Sequence, residues 1–132
     1  MIQRVYLETT FVRYLTARAS RDVVIAGHQQ VTRDWWNNCR KKYDLCASEA
    51  VIREAQAGDQ EAAQERLDVI EETVLLETTA EALALAKELL QAGALPAKAA
   101  TDALHIGVAA VHGIQFLLTW NCRHMANAPM RP

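Results

Sequence analysis

The stretch that decides the fold is Thr101–Asn121, TDALHIGVAAVHGIQFLLTWN. From Ala103 to Cys122 the chain runs twenty residues without Asp, Glu, Lys or Arg, which is long enough to cross a bilayer. His105, His112, Gln115 and Asn121 interrupt that run, and Gly113 divides it. It therefore reads as two buried elements and not as a membrane span. A helix runs from about Ala99 to Val111 and stops at Gly113, and a strand follows over Phe116-Leu117-Leu118-Thr119. A strand apolar at successive positions needs cover on both faces. That favours a parallel sheet between helical layers over an antiparallel sheet with one wet face.

Working outward, the same alternation fills the chain. Val5-Tyr6-Leu7 is a β-branched and aromatic run ending at Glu8, and Thr9-Thr10 offers a cap for a helix through Tyr14 and Leu15. Ser20 can cap a longer helix, with Asp22 in its first turn and Val23, Val24, Gly27, Val31, Trp35 and Cys39 at helical spacing. Residues 43–47 (YDLCA) read as a second strand, with Ser48 capping a helix that stops at Gly58. Asp59 caps the next helix, which carries Ala62, Ala63, Leu67 and Ile70. Val74-Leu75-Leu76 is a third strand, and Thr79 caps a helix ending at Gly93. Pro96 marks a loop, and a last short helix is expected after Asn121. Strand–helix repetition of this kind predicts an α/β fold with a parallel sheet.

Composition agrees. The 132 residues, 51% hydrophobic and 23% charged, suit one domain with one core. Ala occurs 23 times against 5 Gly and 3 Pro, which favours helix over an all-β sandwich. The net charge of −2 excludes a globally cationic nucleic-acid coat. It conceals an uneven spread: residues 1–53 carry +4, residues 54–88 carry −8 and residues 89–132 carry +2. Cys39, Cys46 and Cys122 are odd in number and lack C-x-x-C spacing, which argues against a disulfide framework or a zinc knuckle. Reduced thiols and the absence of an apolar leader run at Met1-Ile2-Gln3-Arg4 lead to the expectation of a cytoplasmic protein. The five Gly residues form neither a P-loop nor G-x-G-x-x-G, so nucleotide-cofactor binding has no support.

In a parallel sheet the site lies beyond the carboxyl ends of the strands. That rule selects Glu8, Glu49 after Ser48, and Asn121. Asp102 joins them as the carboxylate in the first turn of an otherwise apolar helix. Converging carboxylates repel unless a cation neutralises them, and oxygen ligands suit Mg²⁺ or Mn²⁺. Taken singly, each acid also has an ordinary reading as a strand-end charge or a helix-start residue.

Three motifs carry a family resemblance: VYLETTF near the start, SEAVIREA at 48–55, and TDALHIGVAAVHGIQFLLTWN at 101–121. Together they resemble the PIN domain, and more narrowly the VapC-type toxins of type II toxin–antitoxin systems. The resemblance implies a three-layer α/β/α fold around a parallel sheet of four or five short strands. It implies an Mg²⁺- or Mn²⁺-dependent endoribonuclease, a cognate antitoxin that blocks the site, and a homodimer. Carried over, the family's acidic positions fall on Glu8, Glu49, Asp102 and Asn121, and Thr9 matches the hydroxyl residue after the first acid. Glu8, Asp102 and Glu49 are then the expected metal ligands, and Asn121 is expected to hold water or a substrate oxygen. Water activated by the ion would attack phosphorus in line, leaving 5′-phosphate and 3′-hydroxyl ends. Glu8 stands where most members have Asp, and Asn121 is neutral where an acid is usual. The chain, one domain over 1–132, ends at Pro132 and is expected to lack the further strand that members usually carry.

Other features fit more loosely. Arg13 and Arg123 are candidates for RNA phosphate contacts, with Thr9 beside them. Trp35 and Trp36 point about 100° apart on a helix, so one is expected in the core and the other at an interface. His105 and His112 are seven apart on one helix and read as packed core histidines. The alternative function is a catalytically weakened PIN-like interaction module. A receiver-like domain needs paired acids at the first strand and a late Lys, and no Lys follows Lys98.

Overall fold

The computed structural model describes residues 2–93, 95 and 99–121. Four strands form one parallel sheet: β1 (Arg4–Leu7), β2 (Asp44–Ser48), β3 (Val74–Leu76) and β4 (Phe116–Leu118), in the order β3-β2-β1-β4. Between them lie α1 (Thr9–Thr16), α2 (Val23–Cys39), a 3-10 turn (Arg40–Lys42), α3 (Glu49–Ala55), α4 (Gln60–Glu71), α5 (Ala80–Gln91) and α6 (Ala100–Val111). This is the α/β architecture read from the sequence, with four strands.

The strand order explains where a site can form. The chain steps from β1 to β2 to β3 in one direction, then returns to place β4 on the other side of β1. Right-handed crossovers therefore put α1–α4 on one face and α5–α6 on the other. The packing agrees, with α1 against α2, α3 and α4, and α5 against α6. The direction reverses at β1, so the crevice between the ends of β1 and β4 is the topological switch point. Leu7 lies beside Leu118 in register there.

The core gathers on β1. Val5, Tyr6 and Leu7 are buried with Phe11 and Val12 of α1, Trp36 of α2, Cys46 and Ala47 of β2, Val51 of α3 and Val108 of α6. Of the tryptophan pair, Trp36 is buried under the Arg40 guanidinium, 4.8 Å from its ring, while half-buried Trp35 stacks on Tyr43. Gly107 lets α6 lie against α5: a Cβ there would sit 2.5 Å from the Ala82 carbonyl oxygen. The Arg4 side chain donates to the His112 carbonyl oxygen and so ties the end of α6 to the start of β1.

Two helix starts differ from the reading above. Asp22, not Ser20, caps α2 by accepting from the Val24 and Ile25 amides, and Ser20 instead accepts from the Asp22 amide. Glu8, not Thr9 or Thr10, caps α1. Cys39 and Cys46 are free thiols. Among the described residues no helix is long and apolar enough to cross a membrane. Cys122, Arg123 and the expectations of a short helix after Asn121 and of no further strand fall outside the described residues.

Candidate active site

Glu8 is the residue at which β1 turns into α1, and it is 2% exposed. Its Oε1 accepts from the Thr10 amide at 3.1 Å, from the Thr10 hydroxyl, and from the Thr119 hydroxyl at 2.8 Å. The Glu8 amide donates to the Leu118 carbonyl at 3.1 Å. Capping and sheet pairing thus hold one carboxylate at the switch point. Among the described residues every donor that reaches Glu8 lands on Oε1.

The second acid is Glu54. Helix α3 turns Ala50, Val51 and Ala55 into the protein, and Glu54 lies between them at i+4 and i+3 on the inward side. Arg66 fixes the end of that helix by donating to the carbonyls of Ala55 and Ala57. Glu54 Oε1 accepts from the Thr9 hydroxyl at 2.6 Å and from His105 Nε2 at 2.7 Å. Burial by itself would raise the Glu54 pKa. The hydrogen bonds from His105 and Thr9, with the nearby charges of His105 and Arg13, outweigh it and hold the carboxyl below its usual range. Glu8, Glu54 and His105 each bring one ligand atom within 4.8 Å of the others.

Helix α6 supplies the remaining groups. Asp102 and His105 are one turn apart on the same face, 8% and 0% exposed. Asp102 Oδ2 accepts from the Asn121 side-chain amide at 2.8 Å, and the Asn121 backbone amide donates to the Thr119 hydroxyl at 2.8 Å. Thr119 therefore bonds toward Glu8 on one side and toward Asn121 on the other.

Of the residues read from the sequence, Glu8 and Thr9 belong to this cluster, and Asp102 and Asn121 connect to it through Thr119. Glu49 does not. Its side chain is 72% exposed and pairs with Arg53 across one helical turn at 3.1 Å. Glu49 opens α3 on its outer face, and Glu54, five residues on, faces inward. Thr9 is buried and holds Glu54. Arg13 lies alongside, donating to the Glu54 carbonyl oxygen at 3.1 Å. Sequence reasoning passed over Glu54, whose signal was an acid at i+3 from Val51 and i+4 from Ala50 on an apolar helix face. His105 is buried as expected, and both of its ring nitrogens are engaged.

The donor set fits a divalent cation. Two carboxylates close together carry no Lys or Arg ion pair among the described residues, and their repulsion is relieved by a cation. Each is anchored through Oε1, which leaves Oε2 as an available hard oxygen donor of the kind Mg²⁺ and Mn²⁺ prefer.

A parallel sheet in this order, with acids gathered where it reverses direction, is the PIN-like α/β/α fold. Among solved structures, the chain is similar to VapC20 of Mycobacterium tuberculosis, a sarcin–ricin loop cleaving toxin, with 18% identity and a TM-score of 0.72 over 97% of this chain and 99% of that one. It is also similar to VapBC2 from Rickettsia felis bound to a DNA fragment from their promoter, with 18% identity and a TM-score of 0.69 over 96% of this chain and 94% of that one. At these identities the likeness is one of fold. No family model matches the sequence, and no curated protein matches it.

Proposed function

We propose that this chain is a metal-dependent endoribonuclease, the toxin of a toxin–antitoxin pair. The observation that carries the reading is the close pair of buried Glu8 and partly buried Glu54 at the switch point of a fold shared over nearly its whole length with a sarcin–ricin loop cleaving toxin. Glu8 and Glu54 hold Mg²⁺ or Mn²⁺, with Asp102 as the third acid. Glu54 takes the place that the sequence motif assigned to Glu49. A bound divalent ion supplies Lewis acidity, neutralising phosphate charge and making water acidic enough to act as a nucleophile.

The chain's own residues set the geometry. Thr10 and Thr119 fix Glu8, Thr9 fixes Glu54, and Asn121 orients Asp102 through its amide. Arg13, beside Glu54, offers positive charge to an RNA phosphate. The VapBC2 complex supports an antitoxin as the protein partner of this fold. One observation favours the weakened-module reading: the fourth position is a neutral amide, donated to Asp102.

The test is Mn²⁺-dependent cleavage of RNA by the purified chain, with chelation, Asp102→Asn, Glu54→Gln and Glu49→Gln as controls. Cleavage should vanish on chelation and in the first two variants and persist in Glu49→Gln. Equal cleavage by wild type and Asp102→Asn, or after chelation, would refute the nuclease. Metal binding without cleavage would favour the interaction module.

A further inference from the structure

Three residues buried behind Glu54 are linked by polar contacts that the chemistry above does not use: Ser48, Tyr6 and His105. The Tyr6 hydroxyl lies 2.7 Å from Ser48 Oγ and 2.7 Å from His105 Nδ1. His105 Nε2 lies 2.7 Å from Glu54 Oε1. The four side chains form one continuous path from the end of β2, through β1 and α6, to α3. Its inner three members are fully buried, and Glu54 alone is partly exposed, at 33% of its side chain.

An ionised carboxylate only accepts, so His105 Nε2 carries the proton it shares with Glu54. On the far side of the ring Nδ1 shares a hydrogen bond with the Tyr6 hydroxyl, which in turn meets the Ser48 hydroxyl, so the ring is held from behind while its Nε2–H faces Glu54. A ring flip would set carbon atoms against both the phenol and the carboxylate, so one ring orientation satisfies the path. Tyr6 also packs edge-on against the imidazole, at 5.6 Å between centroids. Ser48 caps no amide of α3, so its hydroxyl serves Tyr6 and not the helix. Buried polar chains are favourable only when every member is satisfied, and apolar residues could fill these positions without that demand.

We propose that His105 is a positioning residue for Glu54, oriented by Ser48 through Tyr6, and that its Nε2–H anchors Oε1 so that the other carboxylate oxygen is kept for an ion shared with Glu8. The inference rests on the metal-dependent reading. It assigns to the buried histidine a role in ligand geometry in place of packing.

The test is Mn²⁺ binding by the apo-protein, followed through the electron-spin signal of free Mn²⁺, for wild type, Tyr6→Phe, Ser48→Ala, His105→Gln and His105→Leu. Loss of an outer hydrogen bond to a ligand weakens metal binding by about 10–100-fold, and Tyr6→Phe and His105→Leu should fall in that range. His105→Gln keeps an N–H donor and should retain more affinity than His105→Leu. Ser48→Ala removes a single hydroxyl at the far end and tests the path even if Tyr6→Phe fails to fold. Bound Mn²⁺ should show no nitrogen coupling from a coordinated imidazole. Wild-type affinity in folded Tyr6→Phe and Ser48→Ala would overturn the proposal, as would a coordinated-imidazole signal, which would make His105 a ligand. A wild type that binds no Mn²⁺ would overturn the metal-dependent reading itself, and this inference with it.

Discussion

Two glycine-to-alanine substitutions in helices should have opposite signs. Alanine is favoured over glycine in a helix interior by about 1 kcal/mol. At Gly27, on the outer side of α2, an added Cβ meets nothing within 4 Å. Gly27→Ala should therefore raise stability by up to that amount. At Gly107 the same Cβ would lie 2.5 Å from the Ala82 carbonyl oxygen and 3.4 Å from the Ala82 carbonyl carbon and the Ala86 nitrogen. These are backbone atoms, so no side chain can swing aside, and α5 and α6 must separate to reach ordinary contact. Overpacking of this kind costs about 1–3 kcal/mol. Because the propensity gain is common to both, the difference between the variants isolates the contact: about 1–3 kcal/mol, with Gly107→Ala below wild type. Urea unfolding at unchanged m-value measures it through the midpoint. The displacement also moves Asp102 and His105, so Mn²⁺ affinity should fall in Gly107→Ala and not in Gly27→Ala. If Gly107→Ala proves as stable as Gly27→Ala, the close α5–α6 approach is refuted.

Other outcomes are expected at the site. Saturating Mn²⁺ should stabilise wild type by about 2.7 kcal/mol at a hundredfold excess over Kd, seen as a rise in Tm, and should not stabilise Glu8→Gln or Glu54→Gln. Glu49→Gln should respond like wild type, since its exposed carboxylate pairs with exposed Arg53. Thr119→Val removes the hydroxyl that joins Glu8 to Asn121 and should weaken Mn²⁺ binding about 10-fold or more. Burial raises the Tyr6 pKa well above its ordinary 10.0, with Glu8 and Glu54 adding to the rise and the Ser48 hydrogen bond opposing it. The native state thus holds the phenolic proton more tightly than the unfolded chain. The stabilisation is complete below pH 10.0 and is lost as pH rises toward the folded value. Ultraviolet titration should show Tyr6 ionising only with unfolding, and Tyr6→Phe should remove that share of the alkaline loss.

The strands were legible because each is short, carries an apolar run and is bounded by caps or breakers. Val5–Leu7, Val74–Leu76 and the Phe116 run left little choice of element. The position of Glu8 followed from the rule that sites lie beyond strand ends, and Asp102 stood out as a charge on an apolar helix. The same rule misdirected attention to Glu49, because it counts residues from the strand end and ignores helix rotation. The 3.6-residue period sends the first residue of α3 outward and Glu54 inward. Ser48 shows the other limit. A serine before a helix resembles a cap, and only the fold reveals Tyr6 waiting for its hydroxyl. His105 read as packing for a similar reason: its partners lie 99 and 51 residues away along the chain.

The bond between Thr119 and Glu8 spans 111 residues, and it has a consequence for how the protein is made. Synthesis delivers β1 and its acid before the elements that complete the site, and a domain generally folds as a unit. Asp102, His105, Thr119 and Asn121 leave the ribosome about a hundred residues later. A nascent chain can hold most of its helices while its ion site is still open on one side. Closing that side requires the most distant pairing in the sheet, β4 against β1, the kind of contact that forms slowly. The site is thus timed by topology: it is completed only once β4 has paired with β1.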